Sequence, residues 1–173
     1  LREYADAFGA LLVDYAAMAR TRVDDVLAAL RAAFEKNGWH GPTVMGSVRG
    51  VTAREAALKP PRAHHSVHEL VDHIAYWEAV VLRRYLGPPK AERRGRGDWR
   101  PPQGSLAESV RRMEEGHRAL VKAVAALRDQ DLDRKVPTPS GPRPLVEVLH
   151  GLAAHDAYHA GQVRLTRKLL RGR

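Results

Sequence analysis

Apolar residues recur at steps of three and four along three long stretches, with glycine and proline between the stretches. That periodicity restricts the fold to packed helices. After Ser66, one face carries Val67, Leu70, Ile74, Trp77, Val81 and Tyr85. After Ser105 the stripe is Leu106, Val110, Met113, His117, Leu120, Val124 and Leu127. The third stripe reads Leu145, Val148, Leu152, His155, His159, Val163, Thr166 and Leu170. Ser66 with Glu69 and Ser105 with Glu108 have the S-x-x-E spacing of a capping box, in which serine and glutamate satisfy backbone N–H groups at a helix start. Helices are therefore predicted near residues 66–86, 105–129 and 144–171, with Pro144 suited to a first turn. GPP at 87–89 and VPTPSGPRP at 136–144 are predicted breaks.

A further helix is predicted over roughly residues 3–36, with Phe8, Leu11, Leu12, Tyr15, Val26, Leu30 and Phe34 as apolar positions and the polar MARTRVDD as a candidate break. NGWHGP at 37–42 stops it. A short helix over 43–49 follows, and Thr52 with Glu55 caps another short piece. Four amphipathic helices predict an all-α, four-helix bundle formed as a single domain over residues 1–173. The stretch 87–104, GPPKAERRGRGDWRPPQG, is long enough to cross a bundle from end to end.

Composition narrows the chemistry. The chain has no cysteine, which excludes disulfides, thiolate metal ligands and a cysteine nucleophile. No apolar run reaches membrane-spanning length, and no basic-then-apolar leader opens the chain, so the expectation is a cytoplasmic protein with no membrane partner. The net charge of +9 admits nucleic acid or another anion as partner. Much of that charge falls in KAERRGRGDWR and in the tail RLTRKLLRGR. Trp99 is the only aromatic of the linker, whereas base stacking needs aromatics. Weak, nonspecific nucleic-acid binding is the most that this predicts.

The third stripe places two imidazoles where leucines would pack. His155 and His159 lie one turn apart on one face, a spacing that can hold one metal ion. Gln162 lies one turn further on, within reach of a ligand or of a histidine nitrogen. A third ligand would have to come from another helix. His73, on the flank of its apolar face and one turn before Trp77, is a candidate, and three neutral imidazoles plus water would make an open site of catalytic type. His117 lies within its own stripe and competes as a rival ligand, a supporting partner or a packed core residue. His64, His65 and His68 fall where loop or first-turn roles are expected, His150 falls off the stripe, and His40 sits in a turn.

Two elements, HSVHELVDHIAYWEAVVLRRYLG and LHGLAAHDAYHAGQVRLTRKLL, resemble those of the DinB/YfiT-like superfamily in their H-E-L-x-x-H-I-x-x-W and H-D-x-Y-H-x-G-Q patterns. WHGPTVMGSVRGVTAREA is similar to a segment upstream of them in many members. The resemblance covers roughly residues 25–170 and leaves residues 1–25 as an N-terminal helical extension. It implies an up-down-down-up bundle with a long crossover, a frequent homodimer, and a divalent ion held by His73, His155 and His159. Nickel and zinc lead the candidates, because neutral imidazoles do not choose sharply among such ions.

Family members include thiol S-transferases that use bacillithiol, mycothiol or glutathione, and proteins described as metal-dependent hydrolases. The leading expectation is a thiol S-transferase in which the metal lowers the thiol's pKa, so that no protein nucleophile is required. Trp77 and Gln162, each near a ligand on its own helix, are expected to line the substrate pocket. Tyr158 and Asp156 are placed off the line joining the histidine pair. Hydrolysis by metal-bound hydroxide ranks lower, because it wants a general base and neither Asp156 nor Glu69 is convincing in that role. A non-catalytic metal- or nucleic-acid-binding module is the reading of a different class.

Overall fold

The computed structural model describes residues 20–35, 38–61, 63–87 and 98–172. Within them the helices are α1 (Arg22–Phe34), α2 (Val44–Val48), α3 (Ala53–Ala57), α4 (Val67–Val81), α5 (Leu106–Ala125) and α6 (Leu145–Leu170). α4 runs on into a π-helical turn, Leu82–Leu86, and a 3₁₀ turn, Asp129–Asp133, follows α5. The part of the first predicted helix before residue 20, and residues 1–19 of the N-terminal extension with it, lie outside the described residues. The candidate break in MARTRVDD is present: Thr21 is extended and caps α1 through a reciprocal box with Asp24.

Local chemistry accounts for where the helices begin. Ser66 and Ser105 accept from the N–H groups of Glu69 and Glu108, whose carboxylates reach back to the serine N–H groups. Thr43 and Thr52 cap the two short helices. We expect Ser66→Ala to lower stability by about 1 kcal/mol, since the buried serine satisfies an otherwise orphaned N–H at the start of α4. Urea unfolding measures this, and an unchanged midpoint would mean that the box is not a net contributor.

α5 ends four residues earlier than predicted because Asp129 has another partner. Its carboxylate accepts from the N–H groups of Arg22 and Val23 at 3.1 Å each and so caps α1 from a distance. The expected break at 136–144 is an antiparallel hairpin, β1 (Lys135–Thr138) with β2 (Gly141–Pro144). Its prolines signal a break in sequence, yet a two-stranded ribbon consists only of edges, where proline is tolerated. Gly141 takes φ 102° at the turn. Val136, 2% exposed, anchors the ribbon to the core.

α4 packs against α5 and α6, and α1 packs against α6 and α5. At one end lie the start of α1, the end of α4 and the start of α6. Arg22 pairs with Asp133, the Arg134 guanidinium donates to the Tyr85 carbonyl at 2.6 Å, and the Leu145 N–H donates to the Arg134 carbonyl at 2.9 Å. At the other end the first turns of α4 and α5 meet, with His68 Nε2 2.9 Å from Ser109 Oγ and Arg112 2.8 Å from the same oxygen. Arg167, near the end of α6, is 8% exposed. Its side chain donates to the carbonyls of Ser47 (2.7 Å) and Arg49 (3.1 Å) and to Glu55 (3.2 Å), tying α2 and α3 to α6.

The apolar core falls into two clusters. One holds Leu30, Val81, Leu120, Leu132, Leu145 and Leu149; the other holds Phe34, Val44, Leu70, Ile74, Met113 and Val163. Each fully buried leucine, isoleucine or valine among them contributes about 1.5–3 kcal/mol of transfer free energy. Between the clusters, α4, α5 and α6 each give a central core position to a polar residue: Glu78, His117 and Asp156. Among the described residues, no helix is long and apolar enough to cross a membrane.

Candidate metal centre

α6 buries a face shifted slightly from the predicted one: Leu145, Leu152, His159, Val163 and Thr166 of the predicted stripe are buried, and His155 is not. Its buried residues run Leu145, Leu149, Leu152, Ala153, Asp156, His159, Ala160, Val163, Thr166 and Arg167. Asp156, expected to point aside, is completely buried, and His155 is only half-buried at the flank. The reason lies in the spacing. The row 149–152–156–160–163–167 also advances by three and four, and a sequence pattern alone does not rank it below the row through the two histidines. The flank position is what brings His155 to the edge of α6, where α4 can face it.

His73 of α4 meets the pair there. One nitrogen from each of His73, His155 and His159 lies within 4.8 Å of the others. His73 Nε2 and His155 Nε2 are 3.1 Å apart. Two imidazole nitrogens bonded to one tetrahedral ion at about 2.0–2.1 Å stand about 3.3 Å apart, so the spacing suits a shared cation. The remaining ring nitrogens have supports. His73 Nδ1 is 3.3 Å from the Asp98 carbonyl oxygen, and His159 Nδ1 is 2.6 Å from Gln162 Oε1. Gln162 in turn donates to the Tyr158 hydroxyl at 2.9 Å. Donation from Nδ1 fixes the tautomer that leaves Nε2 as a lone-pair ligand.

Burial and mutual repulsion keep the His73 and His159 rings neutral. Burial pushes the His159 imidazole down to about 4, with His155 adding to the shift, and burial likewise lowers His73. A neutral imidazole is the form that binds a metal ion, and the donor set fits a divalent transition-metal ion.

The crossover supplies a residue that the sequence reading assigned elsewhere. Trp99 is stacked between His65 and His73, with ring centroids at 3.4 and 3.8 Å and planes within 8° and 7°. The aromatic counted as a lone stacking surface for nucleic acid therefore covers the histidine cluster, and His65 and His68 are packed rather than free in solvent. No local signal in DWR foretells this, because the contact joins segments far apart in sequence.

A cavity of about 420 Å³ adjoins His159. Gln162, Tyr158, His65, Trp99, Leu165 and Leu169 are among its walls. Trp77 does not border it. Its ring meets His73 and His155 edge-on at 6.4 and 6.1 Å, and its body packs against the first apolar cluster. His40 and His150 are exposed. His117 does not join the three histidines. It stacks on Phe34 at 3.8 Å, and its Nδ1 is 2.7 Å from Glu78 Oε1.

Comparison with protein families matches residues 39–163 to the DinB superfamily. The chain belongs to the DinB superfamily. The matched span contains all three histidines, Trp99, the Glu78–His117–Asp156 layer and the crossover. Search of the curated proteins finds no match to this chain.

Proposed function

We propose that this DinB-superfamily protein is a divalent-metal-dependent thiol S-transferase whose ion is held by His73, His155 and His159. A divalent ion bound there supplies Lewis acidity that favours the thiolate form of a low-molecular-weight thiol such as bacillithiol. Gln162 holds the His159 ring through Nδ1, and the Asp98 carbonyl does the same for His73. Trp99 and His65 shield one side of the histidine cluster from water, while the cavity beside His159 leaves room for a thiol and its electrophile. In the transfer the thiolate sulfur bonds to the electrophilic carbon as the leaving group departs with its electron pair.

One observation favours thiol transfer over hydrolysis: among the described residues, no carboxylate lines the cavity beside His159, and Asp72 and Asp98 lie instead at a separate cavity bordering His73. Asp156 is buried behind His155, and Glu69 is engaged with Lys59 at 2.9 Å and with the Ser66 N–H at 2.8 Å. Hydrolysis wants a base beside the water, whereas a thiolate attack needs none. Arg164 and Lys168 line an adjoining groove that shares Leu165 with the cavity, which favours an acidic thiol. Trp77 remains a substrate contact only by approach from the His73–His155 side.

The contacts at the two ends of the molecule support an up-down-down-up four-helix bundle, with α1 and α6 running one way, α4 and α5 the other, and the crossover between α4 and α5.

The test incubates the full chain, loaded with zinc or nickel, with monobromobimane and in turn bacillithiol, mycothiol or glutathione. Conjugation above the spontaneous rate, lost on chelation, is the expected result. Metal-dependent cleavage of an activated ester with no thiol present, and no thiol conjugation, would replace this reading with the hydrolase.

A further inference from the structure

Glu78, His117 and Asp156 occupy one level between the two apolar clusters, and three helices give up a core position to supply them. Glu78 and Asp156 are 0% exposed and His117 is 2% exposed. A polar layer this deep is expected to satisfy itself through hydrogen bonds. This one does not. Its one internal hydrogen bond joins His117 Nδ1 and Glu78 Oε1. Glu78 Oε2, His117 Nε2 and both oxygens of Asp156 have no hydrogen-bond partner. Among the described residues, the ion-pair partners of the two carboxylates are imidazoles alone, His117 for Glu78 and His155 for Asp156, the latter at 3.5 Å. Among the described residues, no lysine or arginine forms an ion pair with either of the two carboxylates.

We propose that Glu78, His117 and Asp156 form a second binding site, for one divalent transition-metal cation, in the interior of the helix layer and separate from the three-histidine cluster. A donor atom from each residue lies within 4.8 Å of the others. Bonds of about 2.0–2.2 Å bring two ligands on one ion to within about 4.4 Å at most, so the site closes on a cation by a small contraction. Two carboxylates balance the charge of a dication and the imidazole adds a neutral donor. This is a mixed oxygen–nitrogen set that suits manganese, iron or zinc. Calcium takes six to eight oxygens and magnesium retains several waters, neither of which this interior supplies.

The two sites are neighbours without sharing a ligand. The His155 ring stands between them, with Nε2 facing His73 and Nδ1 facing Asp156 Oδ1 at 3.5 Å. An imidazole and a carboxylate in series hold two ions well beyond the roughly 3.5–4 Å of a bridged pair. The second ion would therefore be structural, tying α4, α5 and α6 together behind the His155 ring.

Elemental analysis and native mass spectrometry of the untagged full chain, produced in medium supplemented with manganese and zinc, test the proposal. Wild type should carry two ions per chain. The double variant H73A/H159A should retain one, whose X-ray absorption spectrum reads mixed oxygen and nitrogen ligands. Glu78→Gln, isosteric and still able to hydrogen-bond His117, should lose one ion and keep the one at the histidines. Two ions in wild type and one in each variant support a second site that stands whether or not the three histidines serve thiol transfer. A single ion in wild type overturns it, as does an ion count unchanged by Glu78→Gln or a metal-free H73A/H159A variant that retains wild-type helicity. If Glu78→Gln fails to fold, the wild-type count and the spectrum of H73A/H159A decide alone.

Discussion

His159→Ala lowers the affinity of the histidine cluster for zinc by about 100-fold or more while leaving helicity nearly intact. Structural zinc sites with four ligands bind with about 10–16 kcal/mol, or roughly 3 kcal/mol per ligand, which corresponds to about two decades in affinity. The fold survives because His159 is one buried position among ten on α6, and its neighbours Ala160 and Val163 still pack against the second apolar cluster. Thiol conjugation should fall in step with metal content. Zinc titration with a chromophoric competitor and circular dichroism on the same samples measure both effects. Affinity within threefold of wild type would remove His159 from the ligand set. His117→Gln should do the reverse, costing stability at the Phe34 stack and the Glu78 contact while sparing zinc affinity at the histidines.

The buried imidazoles make acidification of the metal-free protein destabilising between about pH 6.5 and pH 4. Burial holds the His117 imidazole at about 4, with Arg31 adding to the shift, and holds His159 at about 4 as well. In that window the unfolded chain takes up protons at these positions and the folded chain does not, so stability falls as pH falls. The contribution is fully present above about 6.5, is lost as pH drops toward 4, and amounts to at most about 3 kcal/mol per histidine. The Glu78 and Asp156 carboxyls, both raised by burial, act in the opposite sense: their contribution is present below the ordinary carboxylate range and is lost as pH rises through their raised values. The carboxyls therefore oppose the histidine slope within the same window. Urea unfolding at pH 7, 6, 5 and 4.5 measures it, and His117→Gln should flatten the curve. A pH dependence that His117→Gln leaves unchanged would show that this imidazole is not held neutral.

Legibility followed distance along the chain. The starts of α4, α5 and α6 were readable because a capping box and a first turn are set by residues within a few positions of one another. The pairing of His155 with His159 was readable for the same reason, being a single helical turn. His73 was reached by its flank position and by the resemblance, and one of its ring nitrogens lies within 4.8 Å of one on His155 and one on His159. The buried face of α6 was misjudged by about one residue. That slip hid Asp156 and with it the layer of Glu78, His117 and Asp156, although the core row through Asp156 has the same three-and-four period as the row through the histidines. The hairpin at 135–144 was missed because prolines read as a break when the edge character of a two-stranded ribbon is not known in advance.

The amino-acid sequence by itself determined the helices, their starts and the local pair of imidazoles, because helix formation and capping are short-range and their signals survive without a partner. Only the tertiary structure decided which polar side chains meet. It set Trp99 between His65 and His73, turned Asp129 back to cap α1, and stacked Glu78, His117 and Asp156 at one depth with one hydrogen bond among them and four polar atoms left without a partner. Those contacts join residues tens of positions apart. Their energy depends on burial and on the neighbours that burial supplies, and neither exists until the helices have packed.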